Sequence, residues 1–104
     1  MVARIWRTEI DDTRAQEYVA FARSRSLPMF RAQPGFAGVI FGANDAQRAV
    51  ITLWRDRAAA EALAHSPSYN ATVAEIGATG ILCGDSAVEV LELEGVFLEA
   101  LAFS

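Results

Sequence analysis

The sequence contains no lysine, a single cysteine (Cys83) and a single histidine (His65). One cysteine cannot close an internal disulfide, so a reducing, cytoplasmic setting is the expectation. One histidine and one cysteine, with no clustered ligand spacing around them, leave no set for a structural zinc site, and no metal is expected. There is no Walker sequence and no Gly-x-Gly-x-x-Gly, so nucleotide cofactors find no support and none is expected. No apolar stretch approaches the roughly 18–20 residues of a membrane span. At the N-terminus Arg4, Arg7, Glu9, Asp11 and Asp12 interrupt any leader-like run. Positive charge is also short. Nine basic residues, all arginine, stand against 13 acidic ones for a net charge of −4. That balance argues against nucleic acid and anionic membranes, both of which call for a basic face. Nothing in the sequence explains why every basic residue is arginine.

What is present is mostly apolar. Hydrophobic residues make up 53% and charged residues 21% of 104 positions, enough for one domain with a real core and too much for disorder. A domain of this size leaves much of its surface in water, so surplus apolar area points to a partner chain.

Residues 2–10 alternate β-branched or aromatic with polar types and predict a strand. Asp11-Asp12-Thr13 offers helix caps, and Ala15, Tyr18, Val19 and Ala22 follow at helical spacing. That helix is expected to weaken near Ser26, because Pro28 disfavours helical geometry at the residue before it. Pro34-Gly35 marks a turn. Residues 36–42 and 48–54, joined by the polar stretch 43–47, predict a hairpin. Residues 58–64 are strong helix formers. Ser66-Pro67 opens a further helix, with Tyr69, Val73, Ile76 and Gly77 on one face and Gly80 as its stop. Residues 87–94 read as a last strand. The order β-α-β-β-α-β predicts an α+β fold, the ferredoxin-like split βαβ motif, with a four-stranded antiparallel sheet and its helices on one face.

The strands are apolar on both parities: Val39 and Phe41 against Phe36 and Ile40, Ile51 and Leu53 against Val50 and Trp54. One face belongs to the helices. The other would be a large sticky patch unless covered, and sheet-to-sheet homodimerisation is the simplest cover. Residues 1–94 thus form the domain. Residues 95–104, too apolar to stand in water, are expected to pack on it or on the dimer partner.

Pro34-Gly35-Phe36 before the hairpin, Leu53-Trp54-Arg55-Asp56 closing it, and His65-Ser66-Pro67-Ser68-Tyr69 after a short Ala-rich helix resemble the antibiotic biosynthesis monooxygenase family. The resemblance spans residues 2–94. It implies a dimeric α+β barrel of two chains packed sheet on sheet. It also implies activities such as cofactor-independent oxidation of aromatic polyketides, quinol oxidation, haem degradation or isomerisation of a small sugar derivative. Haem-degrading members carry a first-strand Asn, a helical Trp and a haem-ligating His. The last two positions fall near Leu63 and Val73, and Arg7 and Thr8 stand in the neighbourhood of the first, so haem is not expected. Quinol-oxidising and isomerising members tend to carry a His where Leu63 stands. The expectation is therefore a cofactor-independent monooxygenase-like protein acting on a small aromatic or quinone-type compound. The alternative is a non-catalytic small-molecule binder, or a purely dimerising protein, of the same fold.

Cofactor-free oxygenation needs a substrate that becomes an electron-rich anion, plus a base, donors for developing charge and a dry pocket. His65 is the only side chain with an unperturbed pKa near neutrality, and it reads either as a pocket base or as an exposed helix-end cation. Trp54 reads as a core aromatic or as a pocket wall with an indole donor. Tyr69 reads as a packed ring or a phenol donor. His65, Trp54 and Tyr69 form the candidate catalytic set. Trp6, Arg7 and Asn70 are the candidate substrate contacts. Trp6 and Arg7 lie on opposite faces of the first strand, and Arg7 reads either as an anion receptor or as one end of a salt bridge with Glu9 or Glu89. Cys83 is expected to be a partly buried, inert thiol.

Overall fold

The computed structural model describes residues 1–99. Strand β1 (Val2–Ile10) leads through a 3₁₀ turn (Asp12–Arg14) into one long helical segment: α1 (Ala15–Phe21), a π-helical turn (Ala22–Ser26) and α2 (Leu27–Arg31). The hairpin β2 (Phe36–Asn44) and β3 (Gln47–Trp54) follows. Then come α3 (Arg57–Ala62), a 3₁₀ turn (Leu63–His65), α4 (Pro67–Ala78) and β4 (Leu82–Glu92). The sheet is antiparallel in the order β2-β3-β1-β4, the α+β arrangement predicted from the element order.

Local chemistry explains the boundaries. Asp11 Oδ1 accepts from the Thr13 N–H at 3.1 Å, and Asp56 Oδ1 caps α3 by accepting from the Ala59 N–H at 2.8 Å. Ser66 Oγ caps α4, with Pro67 at its first turn, and the helix stops before Gly80.

Three details depart from the sequence expectation. The first helix does not end near Ser26. Pro28 has no N–H to donate into an α-turn, and the chain widens instead, with the Leu27 N–H reaching the Ala22 carbonyl in a π-turn. The hairpin turn is two residues long, not five: Asn44 pairs with Gln47, and Asp45 takes φ 53°, as tight hairpin turns require. β4 starts at Leu82, before the expected residue 87. Gly84 (φ 76°) lies within a bulge opposite the Arg7–Glu9 step, where the local sequence has little strand propensity.

A second bulge decides which face is which. Phe36 pairs with Trp54 while Gly38 pairs with Leu53. This shift turns Phe36 onto the helix side with Val39 and Phe41, whereas simple alternation grouped it with Ile40. Phe36 there stacks on Phe30 (centroids 6.1 Å) and meets Trp54 edge-on (5.7 Å). The helix-covered core consists of two clusters. One holds Val2, Met29, Phe30, Val50, Trp54, Ala60 and Leu63; the other holds Ile10, Tyr18, Ile76 and Ile81. Among the described residues no helix covers the opposite face, which carries Ile5, Ile40, Ile51, Leu53 and Leu91. Ile40 is 51% and Leu91 41% exposed.

Leu93 is tied to the chain start through its N–H on the Met1 carbonyl. Beyond it the chain leaves the sheet, and Phe97 is 94% exposed. Residues 100–104 of the 95–104 tail lie outside the described residues. Among the described residues no helix is long and apolar enough to cross a membrane.

Candidate functional site

The seam between the two core clusters does not close completely. Strand alternation puts Arg4 and Trp6 of β1, Val50 of β3 and Phe41 of β2 on the helix side of the sheet. Above them, α1 and the π-turn contribute Tyr18, Phe21, Ala22 and Ser26, and α4 contributes Tyr69, Thr72, Val73 and Ile76. The result is a cleft of about 60 Å³, lined almost wholly by apolar and aromatic side chains. That volume accommodates about four or five waters. The cleft's two helical walls are tied by Arg25, whose Nε and Nη2 donate to the two carboxylate oxygens of Glu75 across from it.

Two polar side chains of the cleft, Arg4 and Tyr69, meet at one end. Arg4 Nη2 donates to the Tyr69 phenol oxygen at 3.1 Å, and the guanidinium carbon lies 5.2 Å from that ring's centroid. Tyr69 stands in the first turn of α4 because Ser66 and Pro67 start the helix immediately before it. Tyr18, at the other end, is buried. Burial pushes its phenol up from its ordinary value, and the Arg48 guanidinium, 5.7 Å from the ring centroid, opposes this. No carboxylate and no imidazole is among the cleft-lining residues described.

The six residues singled out from the sequence separate. Trp6 and Tyr69 line the cleft together. Trp54 is fully buried beneath it, in the first cluster, and its indole N–H donates to Thr52 Oγ1 at 2.8 Å. His65 is exposed at the end of the 3₁₀ turn, outside the lining. Asn70 is exposed and its amide donates to the Ala64 carbonyl at 3.3 Å. Arg7 lies on the uncovered face, paired with Glu89 at 3.1 Å, the salt-bridge reading of that residue. Cys83, expected to be partly buried, is exposed near the β4 bulge. Arg4 was missed. Its signal was present in the sequence, since Arg4 shares the parity of Trp6 on the same strand. Val50 and Phe41 read only as apolar strand positions, and Tyr18 as one of a helical set.

The uncovered face also holds a shallow trough of about 650 Å³ around Arg7, Glu9, Gln47 and Ala87. It is open to solvent along the sheet and lacks an apolar enclosure, so the cleft is the better candidate for a small ligand.

No protein-family model matches the chain, and no curated protein matches it. Solved structures do resemble it. A protein of unknown function from Nitrosomonas europaea is 21% identical, with 95% of this chain and 94% of that one covered at a TM-score of 0.76. SnoaB, a cofactor-independent oxygenase from Streptomyces nogalater, is 20% identical over 94% and 97% of the two chains, at a TM-score of 0.70. A monooxygenase from the gene ActVA-Orf6 of Streptomyces coelicolor, in complex with nanaomycin D, is 16% identical over 95% and 92%, at a TM-score of 0.74. The chain therefore has the fold of the antibiotic biosynthesis monooxygenases. At these identities the likeness is one of fold, and function has to be argued from the site.

Proposed function

We propose that the protein binds a small aromatic or quinone-type compound in the Trp6–Tyr69 cleft and oxidises it without a cofactor, as a homodimer. The observation that carries this reading is the cleft itself, an apolar slot between sheet and helices into which one cation and one phenol converge. Of the structures that share the fold, one is a cofactor-independent oxygenase and another is a monooxygenase in complex with nanaomycin D.

The chemistry follows from what the lining holds. An ionised phenol gives electrons to O₂. One oxygen atom becomes a quinone carbonyl on the ring carbon that loses its hydrogen, and the other leaves as water. The substrate supplies all four electrons. The apolar walls exclude water, and Arg4 and Tyr69 stabilise the phenolate oxygen. With no imidazole or carboxylate in the lining, the substrate enters already ionised, and His65 is not its base. Oxygen uptake with phenols and quinols of graded acidity tests this. The rate is expected to follow the substrate's own ionisation and to be unaffected by His65→Ala. Uptake absent for every phenol and quinol tried, under conditions where they bind, would leave a binder without catalysis. That second reading is favoured by the absent base and the small cleft.

The homodimer rests on the uncovered sheet face. Ile5, Ile40, Ile51, Leu53 and Leu91 form an apolar surface of the kind that a second sheet buries. The exposed Val96, Phe97 and Leu98 beyond β4 lie on the partner in this reading.

A further inference from the structure

Among the described residues, Arg7, Arg14, Arg25, Arg55 and Arg57 each have a carboxylate within 4 Å. Arg4 has none among them. It is half-buried on a central strand, and among the described residues its side chain makes one hydrogen bond, to the neutral phenol of Tyr69. A guanidinium carries five N–H donors in a planar fork. A partly desolvated cation without a counter-charge is costly unless an anion joins it. The other described lining residues are uncharged, and the apolar walls strengthen the potential of the guanidinium.

We propose that Arg4, with Tyr69 beside it, is the anion-binding end of the cleft, and that the ligand is a planar aromatic bearing a delocalised oxyanion. The oxyanion is a carboxylate, phenolate or enolate. It takes the free donors of the guanidinium as a fork, while the Tyr69 hydroxyl, which accepts from Arg4, donates its own proton to the same group. The ring lies against Trp6. The enclosed volume, about 60 Å³, is smaller than the roughly 150 Å³ that takes a whole benzene. The anionic end and part of one ring are therefore enclosed, and the remainder projects past Phe41 and Val73, which are 37% and 41% exposed. This inference rests on the cleft being the binding site.

Calorimetric titration of the whole protein with 2-naphthoate and with its neutral isostere 2-naphthamide separates the two ideas. The carboxylate is expected to bind about ten- to a hundredfold more tightly at neutral pH, the range of a charge-assisted hydrogen bond. Arg4→Gln is expected to remove that preference, and Arg4→Lys to restore part of it, since lysine keeps the charge without the fork. Equal affinity for both compounds in the wild type overturns the role of Arg4 and leaves the aromatic cleft standing. A preference undiminished in a folded Arg4→Gln protein also overturns it, placing the anion elsewhere. Binding of neither compound overturns the cleft as a binding site, and this inference with it.

Discussion

The indole N–H of Trp54 is used inside the core, on the Thr52 hydroxyl, and the side chain is completely excluded from solvent. The same residue type at position 6 has one flank on the cleft. Trp54→Phe is expected to lower stability by about 1–3 kcal/mol, from the lost hydrogen bond and the space left behind. It should leave the affinity of a cleft ligand unchanged; denaturant titration and calorimetry on the same sample check both halves. Tyr18 offers a test of burial. Its phenol is raised in the folded protein, so the folded state holds the proton longer than the unfolded chain does. The stability this confers is complete below about pH 10 and is lost as pH rises through the folded value. Tyr18→Phe is expected to flatten the alkaline side of the stability profile, measured by thermal melts between pH 8 and 11.

Elements here are held by a few specific devices. The α3 cap, Asp56, is held below the ordinary carboxylate range, first by the Ala59 N–H it accepts from and also by Arg55. Its contribution is present above about pH 4 and is lost as pH falls through the lower folded value. Asp56→Asn keeps a capping oxygen without the titration, so its acid unfolding profile is expected to lose that component. Gly35 governs the α2–β2 turn. It takes φ 79°, and a Cβ built there would lie 2.6 Å from the Ala59 Cβ. Gly35→Ala therefore combines an unfavourable conformation with a clash. It is expected to cost about 1–3 kcal/mol, read from the denaturation midpoint. The π-turn has a different consequence. By widening the helix in front of Pro28 it brings Ala22 and Ser26 to the cleft wall in one segment with Met29 and Phe30.

For the whole molecule, the two faces of the sheet behave as two separate surfaces. The helix side holds both core clusters and the cleft, and the bare side holds an apolar surface around Ile40 and Ile51. If a second copy covers that surface, the wild type sediments as a dimer at micromolar concentration, and Ile40→Arg, a charge on the bare face of the edge strand β2, yields a folded monomer. A monomeric wild type would sink the sheet-packing reading.

Periodicity and caps were legible along the chain. Alternation in residues 2–10, the Ser66-Pro67 start of α4 and the order of elements led to the α+β fold, because each depends on neighbours a few residues away. The excess of apolar residues on both parities foretold a bare, sticky face for the same reason. What alternation could not show were the points where it breaks. The bulge at Phe36–Gly38 sends Phe36 to the helix side, and the two-residue hairpin turn lengthens both strands, since register depends on pairing between distant segments. The candidate site was half legible. Trp6 and Tyr69 line the cleft, Arg4 beside them was not singled out, and Trp54, His65 and Asn70 lie outside the cleft lining. A residue type states what a side chain can do; whether its donor faces a cavity, a core hydroxyl or water is decided by packing among β1, the π-turn and α4, segments up to 65 residues apart, as Arg4 and Tyr69 are.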